Sequence, residues 1–187
     1  MAMYNDVMGT LVRVLAADNI DNSTKQSWQK LIDADMRQGG TGSTLSVRDK
    51  FDYDCCLYAL LHRQLEPAQW DVLVAKYSTH KANKVAAIGR LVARMVSPAP
   101  QLFIYKALTA WAIPKLKGIQ TGKRSTDMIV LPAEFYDMNT WDLAGSPERT
   151  RRNWRGGIHK RLERLEEQAV IHATEIFDRE EIFVDAA

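Results

Sequence analysis

Apolar residues recur every three or four positions along most of the chain, which is the pattern of amphipathic helices. The runs that follow this pattern predict helices at residues 4–17, 47–65, 67–77, 83–96 and 102–113. A further helix, capped by Asp21-Asn22-Ser23, is expected to carry Trp28, Leu31 and Ile32. One short apolar run, at residues 128–131, is the only candidate for an extended segment, and it is too short to form a β-sheet by itself. We therefore expect an all-α protein built as a small helical bundle.

Turn-forming residues divide this pattern into three segments. A glycine-rich stretch at residues 38–43 follows the N-terminal helices, and Pro98 and Pro100 interrupt the helical pattern further on. We expect N-terminal helices with a linker, a middle helical unit and a C-terminal DNA-binding region, at residues 1–46, 47–97 and 98–187.

The middle segment has two interpretations that the sequence leaves open. Pro67 suits the first position of a helix that ends at Tyr77, and a second helix is expected from Asn83. The pair is either a helix-turn-helix or part of a plain three-helix core with solvated lysines.

The clearest helix start lies in the C-terminal segment. Ser146 is a good N-cap, Pro147 fits the first helical position, and Glu148 carries negative charge that the helix dipole favours. Gly145, just before them, suits a tight turn with positive φ. We expect a long terminal helix from Ser146, forming the second helix of a C-terminal helix-turn-helix whose first element begins near Pro132.

An apolar stripe follows this terminal helix at three- and four-residue steps, and it must be covered by the rest of the domain or by a second copy. The stripe contains Trp154, Ile158, Leu162 or Leu165, Ala169, Ala173 and Ile176. Trp141 and Trp154 are expected to anchor the core. Glu163, Glu166 and Glu167 are interpreted as a solvated acidic face. Gly156 and Gly157 depart from the helical pattern, which indicates a kink or a close backbone approach.

Positive charge is concentrated at the start of the same helix. The whole chain carries +2, whereas residues 148–164 alone carry +5. A block of this kind is typical of a phosphate-binding face, although a solvated basic helix is the plainer alternative. Four residues of the first turns are placed to meet base edges: Arg149, Arg152, Asn153 and Arg155. Four others are better placed for phosphates: Arg151, Lys160, Arg161 and Arg164.

The remaining features argue against an enzyme, a cofactor, a metal or a membrane span. Hydrophobic residues make up 46% and charged residues 26%, as in ordinary globular proteins. No apolar run approaches the roughly 18 residues of a membrane span, and the N-terminus lacks a secretory signal pattern, so a cytoplasmic location is expected. Cys55 and Cys56 are adjacent and do not suit a disulfide framework or a zinc site. The four histidines match no metal or triad spacing, and no phosphate loop is present.

The C-terminal sequence also resembles a known family. The residues concerned are Leu131-Pro132, Phe135 to Met138, Trp141-Asp142, Gly145, Pro147 to Arg151 and Trp154-Arg155. Over residues 47–178 the chain is similar to the Q-type transcription antitermination proteins of phages and prophages, which include regulators of lysis genes. The two adjacent cysteines do not build the zinc-binding insert of some members, so the resemblance is to the zinc-free branches.

Membership of that family would imply a helix-turn-helix DNA-binding protein that loads onto promoter-proximally paused, sigma-containing RNA polymerase and lets it read through terminators. Nascent RNA would be a further partner. The basic segment that follows Pro114 would contact polymerase or RNA through Lys115, Lys117, Lys123 and Arg124. Two other functions stay open. One is a dimeric phage-type repressor or activator without stable polymerase contact, with residues 158–176 as its dimer seam. The other is a DNA-binding packaging subunit.

Overall fold

The computed structural model of the protein describes residues 6–22, 47–115 and 129–182. These residues form six α-helices and two short 3-10 helices, without a strand, so the expected all-α fold is confirmed. The α-helices are α1 (Val7–Asn22), α2 (Val47–Gln64), α3 (Pro67–Tyr77), α4 (Lys81–Arg94), α5 (Gln101–Ala112) and α6 (Glu148–Arg179). The part of the second expected helix that carries Trp28, Leu31 and Ile32 lies outside the described residues, as do Lys117, Lys123 and Arg124.

The chain groups into two compact units. The first contains Met1–Pro67 and Val170–Ala187, and the second contains Ala68–Ala169. The division into three segments at residues 46 and 97 stays a prediction.

In the first unit, α1 packs on α2. Its buried apolar side chains are Leu11, Val14, Leu15, Leu57, Leu61 and Leu65, together with Ala173, Ile176 and Phe177 from the end of α6. The buried carboxylate of Asp54 accepts a hydrogen bond from Arg13 Nε at 2.8 Å. The side-chain oxygen of Gln64 accepts a hydrogen bond from Arg179. These polar contacts join α1 and the end of α6 to α2.

In the second unit, α3 and α4 are joined by the three residues 78–80, the connection expected of a helix-turn-helix. Pro67 begins α3 as predicted. His80, which the sequence pattern did not indicate as a cap, is the N-cap of α4, and its Nδ1 accepts a hydrogen bond from the Asn83 amide at 3.2 Å. The start of α4 therefore lies two residues earlier than expected.

The cations of α4 are used inside the unit. The buried carboxylate of Asp71 accepts hydrogen bonds from Arg90 Nε at 2.8 Å and from Arg94 at 2.5 Å. Lys84 donates to the carbonyls of Lys76 and Ser78 at the end of α3, and burial lowers its pKa to about 8. Lys84 is thus not one of the solvated lysines that the three-helix interpretation expected, because it caps the C-terminus of α3.

Glu166 corrects another expectation. The sequence predicts a solvated acidic face here, but one carboxylate oxygen of Glu166 lies 2.5 Å from Lys76 Nζ and the other accepts a hydrogen bond from the Tyr77 hydroxyl. Burial raises the pKa of Tyr77, and the neighbouring Glu166 raises it further. Lys76 also lies 4.8 Å from the centroid of the Trp111 ring. Glu166 therefore fastens α6 to α3 instead of facing solvent.

The apolar stripe of α6 is confirmed as a core-facing surface. Ile158, Leu162, Ala169, Ala173 and Ile176 are each at most 1% exposed, whereas Trp154 and Leu165 are half-buried. Because the chain itself buries these side chains, they are not available as a seam between two copies.

Candidate nucleic-acid interface

The segment before α6, residues 129–147, differs from the expected first helix of a helix-turn-helix. It contains no α-helix, only the 3-10 helices Ala133–Tyr136 and Met138–Thr140. Asp137 separates the two, and its side chain accepts a hydrogen bond from the Asn139 amide at 2.9 Å. An aspartate that binds a backbone amide two residues on favours a turn over a continuous helix. The long terminal helix is present, but its expected helical partner is replaced by these turns.

Trp141 anchors this segment. Its side chain is 1% exposed, and its ring meets Phe103 edge-on at a centroid distance of 5.4 Å. Its indole nitrogen donates a hydrogen bond to the Phe135 carbonyl at 2.7 Å. Trp154 meets the same Phe103 ring at 5.5 Å. The prediction that both tryptophans pack in the core is confirmed for the buried Trp141, and Trp154 packs there while remaining half-buried. We call Phe103, Trp141 and Trp154 the Trp141 cluster, and it fixes the position at which α6 begins.

Asp142 is the residue at the start of α6 that sequence reasoning missed. Its carboxylate accepts hydrogen bonds from the amides of Ala144 at 3.0 Å and Ser146 at 2.7 Å. Hydrogen bonding to the Ser146 side chain contributes most to lowering the pKa of Asp142, and the nearby charge of Arg151 adds to the effect. Because the folded-state pKa is lowered, the ionised carboxylate stabilises the fold at neutral pH, and this contribution is lost as the pH falls through that lowered pKa.

The turn that Asp142 closes contains Gly145, which has a φ of 69°. The predicted positive-φ glycine is therefore confirmed. The pattern of an aspartate followed by a glycine three residues later is the signal by which the turn could have been found.

Four of the eight predicted DNA-binding residues make contacts within the chain. Arg152 pairs with Glu148 at 2.6 Å on the surface, and Arg161 donates to the Val96 carbonyl. The guanidinium of Arg155 lies 5.9 Å from the centroid of the Trp141 ring. Arg151 is half-buried, and its charge acts on Asp142. These interactions leave less of each guanidinium free for a ligand.

The other four predicted residues are exposed: Arg149, Asn153, Lys160 and Arg164. None of them makes a hydrogen bond or ion pair with another residue in the described part of the chain. Their spacing of four, seven and four residues places them on one side of the helix. We call this side, together with the exposed Gly156 and Gly157 between them, the outward face of α6.

The outward face is basic and long. Residues 149–162 contain no acidic residue, and Glu163, between Lys160 and Arg164, is the one carboxylate along the length of the face. From Arg149 to Arg164 it extends about 22 Å along the helix axis, at 1.5 Å per residue. Such a row of unpaired cations can bind a polyanion with regularly spaced charges.

His159 lies beside the outward face and is held in its neutral form. Burial lowers its pKa, the charge of Arg155 lowers it further, and a hydrogen bond with the Ala107 backbone opposes this only in part. Folding therefore becomes less favourable as the pH falls below the ordinary histidine pKa, because only the unfolded chain takes up the proton readily. His159 serves the packing of α6 on α5.

No family model, curated protein or solved structure matches the chain. In the described ranges, no group of three or more histidine, cysteine, aspartate or glutamate side chains is arranged to hold a metal ion. Among the helices that the structure describes, none has the length and apolar character needed to cross a membrane.

Proposed function

We propose that this protein binds double-stranded DNA through the outward face of α6. The observation that carries the proposal is the set of exposed cations Arg149, Lys160 and Arg164 on one helix side, with Asn153 among them and Glu163 as the single acidic residue in residues 149–164. The alternative of a merely solvated basic helix is less favoured, because the neighbouring arginines of the same helix find partners within the chain and these four do not.

Duplex DNA suits this face for geometric reasons. An α-helix with its side chains is about 10–12 Å wide, which matches the major groove of about 12 Å. Arg149 and Asn153 lie in the first two turns, the part of a helix that meets base edges when it enters a groove by its N-terminus. Lys160 and Arg164 lie two turns further on, where they would contact phosphates. The Trp141 cluster and the Asp142 turn hold the N-terminus of α6 in place for such contacts.

The other helix-turn-helix candidate, α3 with α4, is less suited to phosphate contact. Arg90 and Arg94 are engaged by Asp71, and Lys84 caps α3. The exposed positions of α4 are mainly small and apolar: Ala82, Val85, Ala86, Gly89 and Ala93. The α3–α4 pair therefore supports the second unit and does not carry our proposal.

The proposal is tested by measuring the salt dependence of binding to a duplex that the protein selects from a random pool. With two cations on phosphates, Lys160 and Arg164, log K is expected to fall with log salt concentration with a slope of about −2. A single-stranded oligonucleotide of the same length and poly-glutamate serve as control polyanions, and both are expected to bind more weakly. Failure to select or bind any duplex at low salt would contradict the proposal.

The transcriptional role is proposed on the sequence resemblance alone. We expect the protein to let promoter-proximally paused, sigma-containing polymerase read through a terminator placed downstream of its binding site. Lys115, the one described residue of the basic segment proposed to contact polymerase, is exposed. Read-through measured with purified polymerase should rise when the protein is added. DNA binding without any gain in read-through would favour a repressor, an activator or a packaging subunit instead.

A further inference from the structure

Two adjacent glycines occupy the middle of the outward face. Gly156 and Gly157 are both exposed, and a Cβ atom added to either would meet nothing within 4 Å. Glycine in a helix interior is unfavourable relative to alanine because it loses more conformational entropy on folding. Packing within the described chain offers no compensation for this cost at either position, and α6 continues through both without interruption.

The four polar residues of the outward face, three of them cations, are arranged evenly around this glycine pair. Asn153 and Lys160 each lie about 5 Å along the axis from its midpoint, and Arg149 and Arg164 each lie about 11 Å away. The smooth stretch of helix backbone is therefore bracketed by a cation on either side. This is the arrangement that an anionic chain would require if it crossed the helix at the glycines.

Resting on the proposed function, we infer that a sugar-phosphate strand of the bound duplex crosses α6 at Gly156 and Gly157. Without Cβ atoms, the helix backbone there comes into van der Waals contact with the strand. Arg149 and Asn153 then lie on the groove side of the strand, and Lys160 and Arg164 lie beyond it on phosphates. The glycine pair thereby sets how deeply the N-terminus of α6 enters the groove.

The inference is tested with Gly156→Ala, Gly157→Ala and the double variant. Each alanine is expected to raise the Tm by about 2 to 4 °C, since alanine is the better helix former. The double variant should nevertheless bind the selected duplex about tenfold more weakly, because the added methyl groups hold the strand away and weaken a charge-assisted contact. A gain in stability with a loss of binding is a combination that damage to the fold would not produce.

The matched control is Gly89→Ala on α4. Gly89 is also an exposed helical glycine whose added Cβ would meet nothing within 4 Å. This variant should raise the Tm similarly and leave DNA affinity unchanged. If the wild-type protein binds duplex DNA and the Gly156→Ala, Gly157→Ala double variant binds it equally well, the inference is wrong while the proposed function stands. If the wild-type protein binds no duplex, both are wrong.

Discussion

Duplex DNA binding is expected to weaken about a thousandfold when Arg149, Lys160 and Arg164 are all replaced by glutamate. Each replacement removes one charge-assisted contact, to a base for Arg149 and to phosphates for Lys160 and Arg164, and the loss of one such contact corresponds to about tenfold in affinity. The three side chains are exposed and make no hydrogen bond or ion pair with other described residues, so the fold should be preserved. Binding is measured by fluorescence anisotropy at fixed salt, and helicity and Tm by circular dichroism.

The single variants add a matched comparison. Lys160→Glu should weaken binding about tenfold. Arg63→Glu, which makes the same charge change at an exposed position of α2, should have little effect. Arg149→Lys should preserve non-specific binding while lowering the preference for the selected sequence, because lysine cannot bind guanine in a bidentate manner. Equal losses for Lys160→Glu and Arg63→Glu would mean that net charge, not the outward face, governs binding.

Replacing Trp141 with alanine is expected to reduce the free energy of unfolding by about 3 to 5 kcal/mol. The substitution empties a fully buried site, removes the edge contact with Phe103 and leaves the Phe135 carbonyl without its indole donor. The effect should be visible in urea unfolding followed by circular dichroism.

Trp141→Phe separates the two contributions of that side chain. Phenylalanine retains an aromatic ring against Phe103 but cannot donate to Phe135, so we expect a smaller loss of about 1 to 2 kcal/mol. A loss below about 1 kcal/mol for the alanine variant is too small for a buried aromatic residue and would show that Trp141 does not anchor the start of α6.

The parts of the fold that the sequence predicted well are those governed by local chemistry. Pro67 begins α3, and Ser146-Pro147-Glu148 marks the start of α6 to within two residues. The positive φ of Gly145 was predicted correctly because a glycine directly before a helix start is typical of a tight turn. Periodicity alone identified the buried stripe of α6, because a helix with one apolar side must cover it.

The errors arose where the partner of a residue lies far along the chain. Glu166 sits in an acidic cluster that looks solvated, yet its partners Lys76 and Tyr77 are about ninety residues away. The pairing of Arg90 and Arg94 with Asp71 was likewise not predicted from the sequence. Periodicity places a side chain on a helix side, but it does not indicate which other helix meets that side.

The same limit divided the predicted DNA-binding residues. The sequence predicts eight polar or basic residues in the first half of α6. It does not indicate which of them interact with other groups of the same chain. Arg155 meets Trp141 and Arg161 meets the Val96 carbonyl, and both contacts depend on tertiary packing. The exposed remainder, Arg149, Asn153, Lys160 and Arg164, emerges only once these internal contacts are known.

Residue-resolved NMR during titration with the selected duplex tests the central claim most directly. We predict that the largest chemical-shift changes occur at the amides of residues 149–164 on the outward face, including Gly156 and Gly157. The amides of α1 and α2 should change little. Changes concentrated on α4, or spread evenly over the protein at every duplex concentration, would contradict the assignment of DNA binding to this face.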